Sequence, residues 1–176
     1  DHDAAQTAFK LGQQQGASLF MVLLAAVNAL LYRYTMQHDI VIGSPLAGRD
    51  HHELEEQIGY YINTLALRTR PSGDDSFSAL LEKVKTTTLE AYEHQIYPFD
   101  RLVDELHLRR DTSRLPLFDV LIEVQNTDLA GRQIPVIEGL TVRNFELDNP
   151  ISKFDLNFRF WEAQDELHTQ IEYNTD

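Results

Sequence analysis

The 176-residue sequence predicts an α/β sandwich of the α+β kind, a mixed β-sheet flanked by helices. Three observations lead there. Apolar residues recur every three or four positions in the opening helical segments and again between residues 77 and 106. Apolar and polar residues alternate in the last third, which is the period of a strand. The two patterns are interleaved without the strict strand-helix alternation of a doubly wound parallel sheet.

Taken in order, Ala4, Ala5, Ala8, Phe9 and Leu11 keep helical spacing, and Gly16 stands where a left-handed residue would end that helix. Ser18 can cap the next helix. Residues 19–34 are apolar nearly all round, so this helix must be covered on most sides. The β-branched run 39–43 reads as a buried strand, residues 44–49 with Pro45 and Gly48 as a loop, and residues 60–70 as a second strand. Ser76 caps a helix carrying Phe77, Leu80, Leu81, Val84 and Tyr92 on one face, weakened by the β-branched run Thr86, Thr87 and Thr88. Pro98 suits the first turn of the following helix, whose stripe is Phe99, Leu102, Val103 and Leu106.

Phe118, Val120, Ile122 and Val124 then alternate with Asp119, Leu121, Glu123 and Gln125. Phe154, Leu156, Phe158 and Phe160 alternate with Asp155, Asn157 and Arg159. After a polar break at 162–165 the alternation resumes with Leu167, Thr169, Ile171 and Tyr173. Residues 153–161 should therefore pair antiparallel with residues 166–173 as a hairpin. Residues 126–139, with two Gly and one Pro, are the best candidate for a long excursion from the sheet.

Composition narrows the function classes. A hydrophobic fraction of 43% and 10% aromatics call for a packed core in one folding unit. A net charge of -13 repels phosphate backbones, so nucleic acid is not an expected partner. The longest apolar run, residues 19–27, is too short for a bilayer, and no membrane partner is expected. With no Cys, there is no disulfide framework, cysteine nucleophile or thiolate zinc site. That absence, and an opening segment without signal-peptide character, suit the cytoplasm.

His51 and His52, followed by Glu53, Glu55 and Glu56, are where a search for a metal or acid/base site stops first. Adjacent histidines point in different directions on a helix or a strand, whereas a metal-binding helix spaces them by four. A solvated, charged loop or short helix is the reading, and no metal site is expected. No Gly-rich phosphate loop and no Gly-x-Ser-x-Gly elbow occurs. His2, His38, His94, His107 and His168 are scattered singly, as surface or satisfied structural histidines are.

Three stretches go further. Ile58-Gly59-Tyr60-Tyr61-Ile62-Asn63-Thr64-Leu65-Ala66-Leu67-Arg68 is similar to (I/V)-G-x-F-V-N-T followed by an arginine. His94-Gln95-Ile96-Tyr97-Pro98-Phe99-Asp100 is similar to (H/N)-Q-D-Y-P-F-E, with Ile96 for Asp and Asp100 for Glu. Arg110-Asp111-Thr112-Ser113-Arg114-Leu115-Pro116-Leu117 is similar to R-D-x-S-R-N-P-L, with Leu115 for Asn. In order and spacing these resemble the later core motifs of nonribosomal peptide synthetase condensation domains. The likeness extends to Ser44-Pro45-Leu46-Ala47-Gly48-Arg49 and Lys153-Phe154-Asp155-Leu156.

The resemblance implies a chloramphenicol acetyltransferase-like half-domain: residues 1–176 would be the C-terminal subdomain, the second arm of a V whose channel lies between two arms. Its N-terminal subdomain, with the H-H-x-x-x-D-G motif and the catalytic histidine, is not in this sequence; His51 to Gln57 only mimics that motif, with Glu56 and Gln57 for Asp and Gly. No catalytic residue is therefore expected here. By order in the family, residues 44–49 would lie near the channel floor and part of 126–149 would form a latch to the first arm. Ser44, Pro45, Gly59, Asn63, Thr64 and Arg68 would support the channel or its motifs, and Pro98, Phe99, Asp111, Ser113 and Arg114 would have structural roles.

Arg68 ends a small or apolar row of Ile62, Thr64 and Ala66, and the family places it near the aspartate of the absent histidine motif. Its alternative role is a surface guanidinium at a strand end. Implied partners are the N-terminal condensation subdomain and peptidyl carrier domains, whose 4'-phosphopantetheine arms bring the thioesters; no cofactor would be bound directly. The activity implied is amide formation between carrier-bound aminoacyl or peptidyl thioesters. Alternatives are a non-catalytic carrier-docking module, or half of a related epimerization, cyclization or acyltransferase domain. The Asn63-Thr64 form favours ordinary condensation.

Overall fold

The computed structural model describes residues 2–49, 51–54, 56–108, 115–125, 139–140, 151–163 and 166–175. The expected Asp111, Ser113 and Arg114, and all but Gly139 and Leu140 of 126–149, lie outside the described residues.

Helix α1, His2–Gln15, stops at Gly16, whose φ of +60° is the left-handed turn expected of it. Helix α2, Leu19–Thr35, begins where Ser18 Oγ accepts from Met21 N at 3.3 Å, and ends at Met36, left-handed at φ 56°. Its apolar girth is buried through Met21, Val22, Leu23, Leu24, Val27 and Leu31. Buried Asn28 survives in this company by donating from Nδ2 to the Leu24 carbonyl at 2.9 Å. Helix α3, Phe77–Glu93, is capped by Ser76, whose Oγ accepts from Ala79 N. The threonine run does not break it: Thr86 and Thr88 turn their hydroxyls back onto the Glu82 and Val84 carbonyls at 3.0 and 2.7 Å. Helix α4 spans Phe99–Glu105.

Five strands complete the described fold: β1 Ile40–Leu46, β2 Asn63–Thr69, β3 Val120–Gln125, β4 Leu156–Ala163 and β5 Glu166–Tyr173. They form one mixed sheet in the order β2-β1-β3-β4-β5, with β1/β2 and β4/β5 antiparallel and β1/β3 and β3/β4 parallel. The expected hairpin is present. Its register runs from Leu156 opposite Tyr173 to Ala163 opposite Glu166, so β4 extends two residues into the stretch expected to be a polar break.

Alternation sorts the sheet into two faces. Ile40, Ile42, Leu65, Leu67, Ile122, Phe158 and Phe160 are buried in the core cluster with α2 and α3. Each such side chain contributes roughly 1.5–3 kcal/mol on leaving water. The opposite face carries Thr64, Ala66, Arg68, Gly43, Leu121, Glu123, Asn157 and Arg159, following the register. It holds a polar belt in which Arg159 Nε donates to Glu123 at 2.9 Å and Asn157 Nδ2 to the same carboxylate at 3.3 Å.

Three expectations change. Residues 44–46 are strand, not loop: β1 continues to Leu46, paired with β2 along its whole length. Pro45 is tolerated because the pairing with β3 covers Ile42 and Gly43 and has ended before it. Phe118 leaves the row of Val120, Ile122 and Val124, because Leu117 at φ 76° turns the chain and lays the Phe118 ring over Gly43 on the opposite face. Pro98 stands at the N-cap position, one residue before the helix expected to contain it.

Among the described residues no single helix is long and apolar enough to cross a membrane. Helices α1 and α2 reach that length only together, across a bend of 107°.

Candidate functional site: an asparagine node and an arginine clamp

Two of the quoted motifs meet at one side chain. Asn63 opens β2, and its Nδ2 donates to the Gln95 and Tyr97 carbonyls, each at 2.8 Å. Its Oδ1 accepts from Phe99 N at 3.1 Å. Pro98, at the N-cap, provides no side-chain cap bond, so the first free N–H of α4 is satisfied by a residue 36 positions away. One amide group thus fixes the α3–α4 turn against the mouth of the sheet.

Phe99 carries that fixation inward. Its ring lies 5.5 Å from Phe118, which stacks on Phe154 at 6.1 Å. The trio covers the second face of the sheet beside Gly43, where an added β-carbon would sit 2.1 Å from the Phe118 ring.

A second node lies at Arg49. Its guanidinium donates to the Leu54 carbonyl, to the Gln57 carbonyl at 2.8 Å and to the Gly59 carbonyl at 3.4 Å, and lies 4.5 Å from the centre of the Tyr61 ring. The planar fork suits this work because several N–H groups diverge from one rigid group. Gly48, left-handed at φ 53°, lets the strand turn into this loop; a β-carbon there would lie 2.0 Å from the Tyr61 carbonyl oxygen. Gly59 leaves room for the Tyr61 ring, which a β-carbon would approach to 2.8 Å. Arg49 was not among the expected site residues, although it closes a quoted stretch. Its place directly after Gly48, at the end of the quoted stretch 44–49, was the available signal.

Arg68 projects from the second face and forms a two-point pair with Asp39: Nε to Oδ1 at 2.7 Å and Nη2 to Oδ2 at 2.5 Å. Arg70 Nε adds a weaker contact to Asp39 at 3.7 Å. The Arg68 hydrogen bond, more than any other cause, holds the Asp39 carboxyl below its ordinary pKa. Arg68 is 58% exposed even so. Its partner within the chain is Asp39, a residue that none of the quoted motifs contains.

The remaining expected residues separate by face. Thr64 lies opposite Pro45 in the register, on the second face. Ser44 is buried and alternates with Pro45, so it faces the helices with Ile40 and Ile42. Asn63, Thr64, Pro45 and Gly59 therefore gather at one end of the sheet, while Ser44 points away from them.

Among the described residues of this cluster, the Asn63 amide, the Arg49 guanidinium and the aromatic rings hold its shape. His38 contacts the Pro71 carbonyl through Nδ1 at 3.3 Å and meets the edge of Tyr32, and His168 stacks on Trp161. His51 and His52 stand at an exposed 3-10 turn, His52–Leu54, where His51 Nδ1 lies 3.8 Å from a Glu53 oxygen. No group of three or more potential ligands is arranged to hold a metal ion among the described residues.

Comparison with known proteins agrees with this geometry. The family model described as Condensation domain matches residues 1–176. Bacitracin synthase 3 of Bacillus licheniformis is 45% identical over 175 residues, 99% of this chain and 3% of that protein. Tyrocidine synthase 3 of Brevibacillus parabrevis is 43% identical over 166 residues, 94% of this chain and 2% of that protein. The chain thus spans a small fraction of the curated relatives that it matches.

Among solved structures, a four-domain nonribosomal peptide synthetase bound to AMP and glycine superposes with a TM-score of 0.91 at 24% identity, covering 100% of this chain and 14% of that one. The condensation domain from Monacolin K polyketide synthase superposes at 0.81 with 20% identity, covering 99% of this chain and 40% of that one. These two establish the fold. A family match along the full length, sequence identity of 43–45% to peptide synthases and the coincidence of two motifs at Asn63 together show that the chain belongs to the condensation domain family.

Proposed function

We propose that this chain is the C-terminal arm of a nonribosomal peptide synthetase condensation domain, supplying one wall of the channel while an upstream arm supplies the histidine motif. In the reaction an acceptor amine attacks the acyl carbon of a donor thioester. The C–N bond forms, the C–S bond breaks, and the amine proton ends on the released thiol. Both substrates would arrive on 4'-phosphopantetheine arms of carrier domains. The chain's own residues would act by holding shape: Asn63 sets the α3–α4 turn, Arg49 sets the loop before β2, and Arg68 offers its exposed side to a carboxylate of the upstream arm.

The observation that carries this reading is the Asn63 node. It joins two condensation motifs at one end of the sheet through a single amide group. A chimera tests it: the upstream arm of the aligned condensation domain of bacitracin synthase 3, fused to this chain. With two loaded carrier proteins the chimera should form the amide bond. A folded chimera that forms none, beside an active parent domain, would refute the proposal.

A further inference from the structure

We propose that the outer edge of β5 is a docking surface for the same edge of a second copy of this chain, joining two five-stranded sheets across a two-fold axis at Gln170. β5 is the last strand of its sheet, and among the described residues nothing pairs with it on the side away from β4. Two bonds fix which backbone groups face that side. Asn174 N donates to the Asp155 carbonyl at 3.1 Å, so in the β4/β5 register Asp155, Asn157 and Arg159 face Asn174, Glu172 and Gln170 as hydrogen-bonded pairs. Leu156 N donates to the Asp119 carbonyl at 3.3 Å, which turns the intervening residues of β4 toward β3. The N–H and C=O groups of Leu167, Thr169, Ile171 and Tyr173 therefore point outward.

This edge lacks the usual guards. Sheet proteins blunt an exposed edge with Lys, Pro, a bulge or a covering element. β5 contains no Lys, Arg, Pro or Gly, and its eight residues pair with β4 without a bulge. α1 packs against β5 yet leaves Thr169, Gln170, Ile171 and Tyr173 exposed, Ile171 at 50% and Tyr173 at 62%. The opposite edge differs: β2 carries Arg68 and has α3 and α4 packed against it.

The strand is complementary to itself. Antiparallel pairing about Gln170 sets Leu167 opposite Tyr173 of the second copy and Thr169 opposite Ile171 on the helix-layer side, and His168 opposite Glu172 on the other. Two-fold symmetry makes each of these pairs twice. The His168 ring, already stacked on Trp161, brings an N–H to a carboxylate. This register alone engages the outward backbone groups of Leu167, Thr169, Ile171 and Tyr173 on both copies. An axis at Thr169 would leave Tyr173 outside the paired strands and set Glu166 against Glu172 twice, a like-charge contact. An axis at Ile171 would leave Leu167 outside them.

A net charge of -13 on each copy opposes the approach, so the experiment needs salt enough to screen it. Sedimentation velocity of the 176-residue chain over a rising concentration series should then show monomer passing into dimer. Thr169→Pro removes an outward N–H that β4 does not use, twice across the axis. It should weaken the dimer on the order of a hundredfold while the melting temperature of the monomer stays near wild type. The chain has no Cys, so single cysteines can read the register. Gln170→Cys would bring two thiols face to face, with Cβ atoms about 4.5–5.5 Å apart, and mild oxidation should give a covalent dimer. Glu166→Cys, whose two copies would lie about 27 Å apart along the strands, should give none. A wild-type chain that stays monomeric throughout would overturn the inference. So would a dimer that a folded Thr169→Pro chain still forms as tightly, or Glu166→Cys crosslinking as readily as Gln170→Cys.

Discussion

Replacing Asn63 probes how the two motifs are joined. Asn63→Ala removes two donated bonds and one accepted bond. Each is worth about 0.5–1.5 kcal/mol net, and partial exposure lets water replace some, so the loss should be about 2 kcal/mol. For a domain of this size that lowers the melting temperature by about 4–8 °C. Asn63→Asp is the sharper variant because it keeps the shape. One carboxylate oxygen can still accept from Phe99 N, but the other replaces a donor and faces the Gln95 and Tyr97 carbonyls across 2.8 Å. It should cost about 3 kcal/mol at neutral pH, more than the alanine variant, since a charged acceptor is set against two acceptors.

The sign of the pH dependence follows. The introduced carboxyl has a raised pKa in the folded state, so its protonated form is favoured there. Stability is regained as pH falls through that raised value and lost again as pH rises through it. Thermal unfolding by circular dichroism across pH, with hydrogen exchange of residues 94–103, reads both effects. An aspartate variant as stable as wild type at neutral pH, with the turn amides equally protected, would refute the node.

Two further outcomes are expected. Gly43→Ala should cost about 1–3 kcal/mol because its β-carbon would meet the Phe118 ring, itself held between Phe99 and Phe154, and Phe118→Leu in the same chain should recover part of the loss; no loss in urea denaturation would contradict the packing. For the Asp39–Arg68 pair, the lowered carboxyl pKa contributes stability that is present above the unfolded value of about 3.9 and disappears as pH falls through the lower folded value. The urea midpoints of wild type and Arg68→Ala should therefore converge as pH drops below about 4, and a gap that persists to about pH 2 would remove the pair as its cause.

Much of the fold was legible because local chemistry and tertiary structure agree. Ser18, Gly16 and Ser76 mark helix ends by hydrogen bonds and backbone geometry that involve only near neighbours. The alternation of Leu156 to Phe160 survives because that row is packed into or against the core cluster with the helices, and β5 keeps its period by pairing with it although only Leu167 of its apolar row reaches the core. The departures arise where a distant element decides. Pro45 looks like a loop residue until the place where β3 leaves β1 is known. Phe118 fits a strand row until Leu117 turns the chain.

The site was half legible for the same reason. Motif likeness singled out Asn63 and Phe99, yet their joint role is a set of bonds across 32 to 36 residues that no spacing rule contains. Asp39 could be matched to Arg68 only through the register, which sets Val41 opposite Arg68 and places Asp39 two residues along the same face. Ser44 shares a motif with Pro45 but points to the other side, a consequence of the strand period once β1 is seen to continue through it.

The central claim is that this chain carries structure and that an arm outside it carries the chemistry. The most direct measurement gives the 176-residue chain alone, and in parallel the chimeric domain, a donor aminoacyl thioester on one carrier protein and an acceptor on another, and weighs the intact carriers by mass spectrometry. The expected result is a dipeptidyl acceptor carrier with the chimera and an unchanged one with the free chain, because the proposed function puts the base or charge that stabilises the transition state on the upstream arm. A dipeptidyl carrier formed by the free chain would contradict it.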